Sequence, residues 1–302
     1  MECEPFLHDL TPTVAGLIER HLGATKEWFP HELVPWGRGR DFEPGEQWDA
    51  AEYPVPDGVR SALFVNLLTE DNLPYYWSTI AKTFGADGPW GDWARRWTAE
   101  EGRHSIVIRD YLTVTRAVDP VALERARMAQ VSGGLVPIPE SAADGVVYVA
   151  LQELATRLAH RNTGKLLEDK VGYDVMARVA SDENLHYLFY RDLATAAIEV
   201  DASAMVLAIE RQVREFEMPG TGIVDFEDHA KAIAKAGIYD LKLHHEQILV
   251  PVVLRHWKVE SLEGLSAEAE QARAAVLKRI DRIGRAGRRF AERQAERTAV
   301  AV

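Results

Sequence analysis

The amino-acid sequence predicts an all-α fold: a helical bundle with additional helices, taken as a single domain over residues 1–302. Three observations carry this expectation. Long segments with helical apolar spacing lie between Gly and Pro breakers. Strand alternation is scarce, and Asp57-Gly58, Asp87-Gly88 and Asp144-Gly145 lie beside helical patterns rather than between alternating ones, so hairpin turns are not indicated. The four longest segments come as two pairs joined by a longer crossing, the arrangement of a four-helix bundle.

The elements follow in order. Pro12 opens a helix over about 12–22. Residues 28–56, rich in Pro, Gly and aromatics, read as an irregular wrap, so 1–56 form an N-terminal segment. A helix over 57–84 stops at Gly85-Ala86-Asp87-Gly88, and Pro89 starts another reaching 116. A crossing segment over 119–139 holds Gly133-Gly134, Pro137 and Pro139. Helices over 140–168 and 172–199 complete the bundle, 57–199, and no short repeat is apparent. Residues 200–302 add helices near 202–217, 225–236 and 239–257, then a basic one that Ser266 caps.

Composition narrows the function. Hydrophobic residues make up 47% of the chain, enough for a sizeable core. No apolar run of about 18 residues is present, so a transmembrane helix is not expected. The opening residues MECEPFLHDLTP do not read as a targeting peptide. One cysteine, Cys3, excludes a disulfide framework and a thiolate metal site, so any metal must take oxygen and nitrogen ligands. These features fit a reducing cytoplasm. The net charge of −12 argues against a generic nucleic-acid binder. From Arg273 onward, however, nine basic residues face three acidic ones, a strip able to dock an acidic macromolecule.

Two Glu-x-x-His pairs stand out: Glu101/His104 and Glu183/His186. With 28 Glu and 10 His, one such pair is expected by chance, so the pairs matter only through what meets them. Glu70 precedes Glu101 by 31 positions and Glu153 precedes Glu183 by 30, each among apolar neighbours in the first helix of a pair. An antiparallel hairpin brings such residues to one height, and i, i+3 residues share a helix face. Four carboxylates and two imidazoles at one level are the ligand set of carboxylate-bridged di-iron or di-manganese bundles. Two divalent cations would neutralise carboxylates too costly to bury alone. Thr98-x-x-Glu101 also matches a capping box, but Trp90, Trp93, Ala94 and Trp97 already show helical spacing before it.

On these residues the chain resembles the soluble acyl-[acyl-carrier-protein] desaturases along nearly its whole length. TEDNLPYY, WTAEEGRHS, QELATRLAHRNT and SDENLHY are similar to that family's four metal-bearing segments, in the same order. AGIYDLKLHHEQILVPVVLRHWKVESLEGLSAEAEQAR resembles its C-terminal part, and the whole looks bacterial, of an actinobacterial type. The resemblance implies a ferritin-like bundle with two iron ions. Glu70 and His104 would bind one, Glu153 and His186 the other, and Glu101 and Glu183 would bridge. It also implies roles for Thr156 beside bound oxygen, Trp36 on an electron route, and Asp182 linking that tryptophan to His104. Gly102, Leu185 and Leu154 depart from common family residues without removing a ligand.

The activity implied is O2-dependent insertion of a cis double bond into an acyl chain on acyl carrier protein, with electrons from ferredoxin and a homodimeric enzyme. No Gly-x-Gly-x-x-Gly follows a strand, so the electron donor is expected to be external. Tyr76, Trp77 and Ile80 are expected to set how far the chain enters. The competing readings are a di-iron hydroxylase or oxidase on another acyl or small-molecule substrate, an iron-storage bundle, and a metal-free helical interaction protein.

Overall fold

The computed structural model describes residues 5–220 and 222–300, without the side chains of 295 and 297–300. Cys3 and the Arg297 side chain therefore lie outside the described residues. Among the described residues there is no strand, and no helix is long and apolar enough to cross a membrane. The helices are α1 (Pro5–Ala24), α2 (Pro30–Leu33), α3 (Asp57–Glu70), α4 (Leu73–Phe84), α5 (Gly88–Thr115), α6 (Pro120–Gly133), α7 (Ala142–Leu166), α8 (Lys170–Val200), α9 (Ala202–Glu215), α10 (Phe226–Lys235), α11 (Leu241–His244), a π-helical continuation (His245–His256) and α12 (Ala267–Val300).

Helices α3–α4, α5, α7 and α8 form the bundle, and α1 packs along α5 and α8. The apolar core falls into two halves. One gathers Val146, Leu151, Phe189, Leu193, Ile209 and Val252 from α7, α8, α9 and the π-helical segment. The other gathers Leu63, Leu67, Ile108, Tyr111, Met176 and Val179 from α3, α5 and α8. Both halves flank a layer of buried polar residues: Glu70, Glu101, His104, Glu153, Thr156, His160, Glu183 and His186. The hydrophobic effect fixes the helices on either side and so positions this layer without help from it.

Three expectations need correction. Helix α1 starts at Pro5 and carries Pro12 inside it. The carbonyl that Pro12 leaves free belongs to His8, an exposed residue that water can satisfy. The expected helix over 57–84 breaks at Asp71-Asn72 and restarts at Leu73, which puts Pro74 in the first turn of α4, where its missing N–H and its ring, which would otherwise press on the Glu70 carbonyl, are tolerated. Glu70 is thereby the last residue of α3. The helix expected over 239–257 runs largely in π register around Pro251, and Trp257 N–H donates to Val252 O at 2.8 Å, a five-residue step. The crossing segment is mostly helical, as α6.

Candidate metal centre

Each bundle helix contributes to the polar layer. Glu70 ends α3; Glu101 and His104 lie one turn apart on α5; Glu153 sits in mid-α7; Glu183 and His186 lie one turn apart on α8. Their donor atoms form two overlapping groups, Glu70–Glu101–His104–Glu183 and Glu101–Glu153–Glu183–His186, each with its atoms within 4.8 Å of one another. Glu101 and Glu183 belong to both. The structure thus brings together all six side chains paired by spacing.

The contacts inside the layer bear on whether cations fit. His186 Nδ1 lies 2.8 Å from Glu101 Oε1 and 3.7 Å from Glu153 Oε2. None of these three atoms has a hydrogen-bond partner. His186 Nδ1 therefore meets its carboxylate neighbours by proximity and not through an aligned hydrogen bond. His104 Nδ1 faces Glu101 Oε2 at 3.2 Å, Glu183 Oε1 at 3.5 Å and Glu70 Oε2 at 3.8 Å. Burial and the neighbouring Glu101 and Glu183 push the Glu70 carboxyl up to about 8. Burial and Glu183 push Glu153 well above the usual carboxylate range. Burial alone would lower His104 and His186, but the surrounding carboxylates hold both well above an ordinary imidazole. These groups would share protons unless cations replaced them, and the unpartnered atoms of Glu101, Glu153 and His186 on one side, with His104 Nδ1 among the oxygens of Glu70, Glu101 and Glu183 on the other, fit two divalent ions.

Behind each imidazole stands a carboxylate. Glu100 Oε2 accepts from His186 Nε2 at 2.9 Å, and Asp182 Oδ2 lies 3.6 Å from His104 Nε2. The acid preceding each motif's glutamate therefore faces the other motif's histidine, the arrangement that orients metal-binding imidazoles. An arginine one turn earlier pairs with each acid: Arg96 with Glu100 and Arg178 with Asp182. The sequence contains this as a repeat, R-x3-E-E-x2-H in RWTAEEGRH and R-x3-D-E-x2-H in RVASDENLH. The expectation of no short repeat is corrected here.

Trp36 does not reach the layer. It is 51% exposed, and its indole N–H donates to His31 O at 2.9 Å. Trp28 occupies the expected place instead: it is 7% exposed, and its Nε1 donates to Asp182 Oδ2 at 2.8 Å. The short α2 helix separates the two tryptophans and turns only the first inward. Thr156 Oγ1 donates to Glu183 Oε2 at 3.1 Å while also touching the carbonyls of Gln152 and Glu153. Besides Trp28, further residues around the layer were not anticipated, among them Glu100, His160 (Nε2 to Glu70 Oε1, 3.0 Å) and Trp97 (Nε1 donating to Glu153 Oε1, 2.9 Å).

Apolar cavities lead to this layer. One, of about 70 Å³, is lined by Glu70, Glu101, Thr156 and Glu183, by Tyr76 and Val149, and by Ile80, Thr83, Phe84 and Gly145. Of the three residues expected to set its depth, Tyr76 and Ile80 line it, whereas Trp77 is exposed on the outer side of α4. A second cavity, of about 100 Å³, shares the wall residues Thr69, Glu70, Thr156 and Pro219 with the first. It shares Met218, Ala230 and Tyr239 with a surface groove whose rim carries Arg214, Arg279 and Arg282.

The sequence profile of the fatty acid desaturase family matches residues 3–302. The chain belongs to the fatty acid desaturase family. Among its relatives, a Mycobacterium tuberculosis protein provisionally named acyl-[acyl-carrier-protein] desaturase DesA1 is 39% identical, over 97% of this chain and 95% of that one. The chloroplastic stearoyl-[acyl-carrier-protein] 9-desaturase of Spinacia oleracea is 29% identical, over 90% of this chain and 71% of that one. The X-ray structure of the provisionally named acyl-ACP desaturase DesA2 from M. tuberculosis superposes with a TM-score of 0.72 at 27% identity, covering 89% of this chain and 99% of that one. This desaturase-family fold is the helical bundle expected from the sequence.

Proposed function

We propose that this desaturase-family chain holds two iron ions in the polar layer and, with O2, inserts a cis double bond into an acyl chain carried on acyl carrier protein, with electrons from ferredoxin. One observation carries the reading: the two overlapping carboxylate–imidazole groups lie at the junction of two apolar cavities, beside the path an acyl chain would take. Glu70/His104 and Glu153/His186 would hold one ion each and Glu101 and Glu183 both. With O2 and two electrons, the ions supply the oxidising power that no acid or base side chain has for an unactivated methylene.

The protein's own residues position and exclude. The arginines at the rim of the surface groove complement an acidic carrier. The acyl chain would run inward past Met218 and Tyr239, pass Glu70 and Thr156, and extend its far end toward Ile80 and Phe84. Apolar walls keep water from the reacting carbons. Thr156 places a hydroxyl proton at Glu183 Oε2 on the cavity side of the layer. Trp28, through Asp182, connects His104 to the side of the bundle where Arg103 and Arg178 stack over the indole, and the electron role expected of Trp36 is reassigned to it.

The test is product analysis. Iron-loaded protein, reduced ferredoxin, O2 and a panel of acyl carriers should yield a mono-unsaturated acyl chain lighter by two hydrogens, with none from the free fatty acids. A hydroxylated product would favour the oxygenase reading, and oxygen uptake indifferent to the carrier would refute the substrate.

A further inference from the structure

Glu100 carries a second imidazole that the reaction as outlined does not use. His21 Nε2 lies 2.8 Å from Glu100 Oε2, the same oxygen that accepts from His186 Nε2 at 2.9 Å. His21 ends the buried stripe of α1, after Leu7, Leu10, Val14 and Leu17. The other ring nitrogen of His21 is buried without a partner, so all of the hydrogen bonding of this imidazole is directed at Glu100. The ring lies edge-on to Trp93 at 5.0 Å and nearly parallel to His186 at 5.8 Å, which fixes its plane.

The arrangement repeats across the layer with a different donor. Glu100 is held by Arg96 on its own helix and by the His21 ring from the N-terminal segment. Asp182 is held by Arg178 on its own helix, by Arg103 of α5 at 3.2 Å and by the Trp28 ring from the same segment. Without its ring donor, Glu100 would keep Arg96, which reaches water, and could turn toward it and away from His186.

We infer that His21 is a positioning residue for the metal centre: by fixing Glu100 it holds the His186 ring with Nδ1 turned into the layer, and so sets the affinity for the ion on the His186 side alone. This rests on the two-metal reading of the layer.

Anaerobic equilibrium dialysis with Fe(II) or Co(II) tests it on the full chain. Wild type should bind two ions. His21→Leu, which keeps the packing and removes the donor, should weaken one of them roughly 10–100-fold, the range for lost partners of metal-bound histidines. His21→Gln, whose amide N–H can reach the same oxygen, should recover most of that loss. The side is assigned in two backgrounds. With His104→Ala, adding His21→Leu should weaken the remaining ion by the same factor; with His186→Ala it should change nothing. Equal weakening in both backgrounds, or none in either, would overturn the inference. Failure of wild type to bind any ion would instead refute the centre itself. Should His21→Leu not reach wild-type helicity by circular dichroism, Glu100→Gln carries the same comparison, with the same dependence on background expected.

Discussion

The far end of the cavity makes a quantitative prediction about acyl-chain length. Ile80 is buried on α4 and faces the cavity floor. Ile80→Ala deletes its γ- and δ-carbons and lengthens the space available to the substrate. Two further substrate methylenes buried there contribute about 0.8 kcal/mol each. Their sum, about 1.6 kcal/mol, is roughly a 15-fold change in the kcat/KM ratio favouring a chain two carbons longer. Gly145→Ala should act in the opposite direction. A Cβ there would meet Phe84 Cζ at 2.9 Å and Thr83 Cγ2 at 3.0 Å. Phe84 lines the cavity and is stacked on Trp90 at 5.3 Å, which backs one face of its ring. The assay is competition: equimolar acyl carriers of stepped chain length, with product ratios read by mass spectrometry. Ile80→Ala also costs stability, about 2–5 kcal/mol for a fully packed side chain and less here because one flank faces the cavity, so assays belong well below its melting temperature. Unchanged product ratios in both variants would refute the placement of the acyl chain.

Other predictions concern electrons, docking and acid stability. Trp28→Phe should slow reduction by ferredoxin in stopped-flow measurements while Trp36→Phe leaves it unchanged; the reverse pattern would restore Trp36 to the electron route. Arg282→Glu should raise the apparent KM for acyl carrier, and added salt should do the same in wild type, because it shortens the distance, about 8 Å at physiological ionic strength, beyond which exposed charges are screened from one another; indifference to both would leave the groove rim without a docking role. Asp144 is fully buried and accepts two bonds from Arg211, at 2.8 Å each. Burial pushes its carboxyl up, and the bonds from Arg211, Ser141 and Gln212 more than reverse this, leaving its pKa below the ordinary value. Its contribution is therefore whole above about pH 4 and is lost as pH falls through the lowered folded value. Asp144→Asn should cost about 3 kcal/mol at pH 7, the low end for a broken buried pair because a quarter of the Arg211 side chain meets water. The gap to wild type in urea midpoints should close on acidification; a constant gap would contradict the linkage.

How much of this was legible in the sequence depends on how far each contact reaches along the chain. The Glu-x-x-His pairs are local, one helical turn each, and the thirty-residue offsets to Glu70 and Glu153 follow from hairpin geometry, so the layer could be assembled before the fold was seen. Pro74 carried the break after Glu70, but the apolar periodicity running through it suggested one continuous helix. Glu100 was equally legible: its acid-before-glutamate position matches that of Asp182, and only the arginine one turn upstream of each makes the nine-residue repeat evident. His21 and His160 were not legible, because a lone histidine on an apolar stripe looks the same whether it packs or reaches a carboxylate many tens of residues away. The exchange of Trp36 for Trp28 has the same cause. A short helix in an irregular wrap gives no periodicity from which to tell which of two tryptophans faces inward.

The central claim is that two iron ions share one set of carboxylates in this layer. Mössbauer spectroscopy of protein loaded anaerobically with iron-57 and then oxidised tests it most directly. The expected result is two irons per chain, coupled through a shared bridge into a diamagnetic ground state. A single iron per chain, or two that remain magnetically independent, would contradict it.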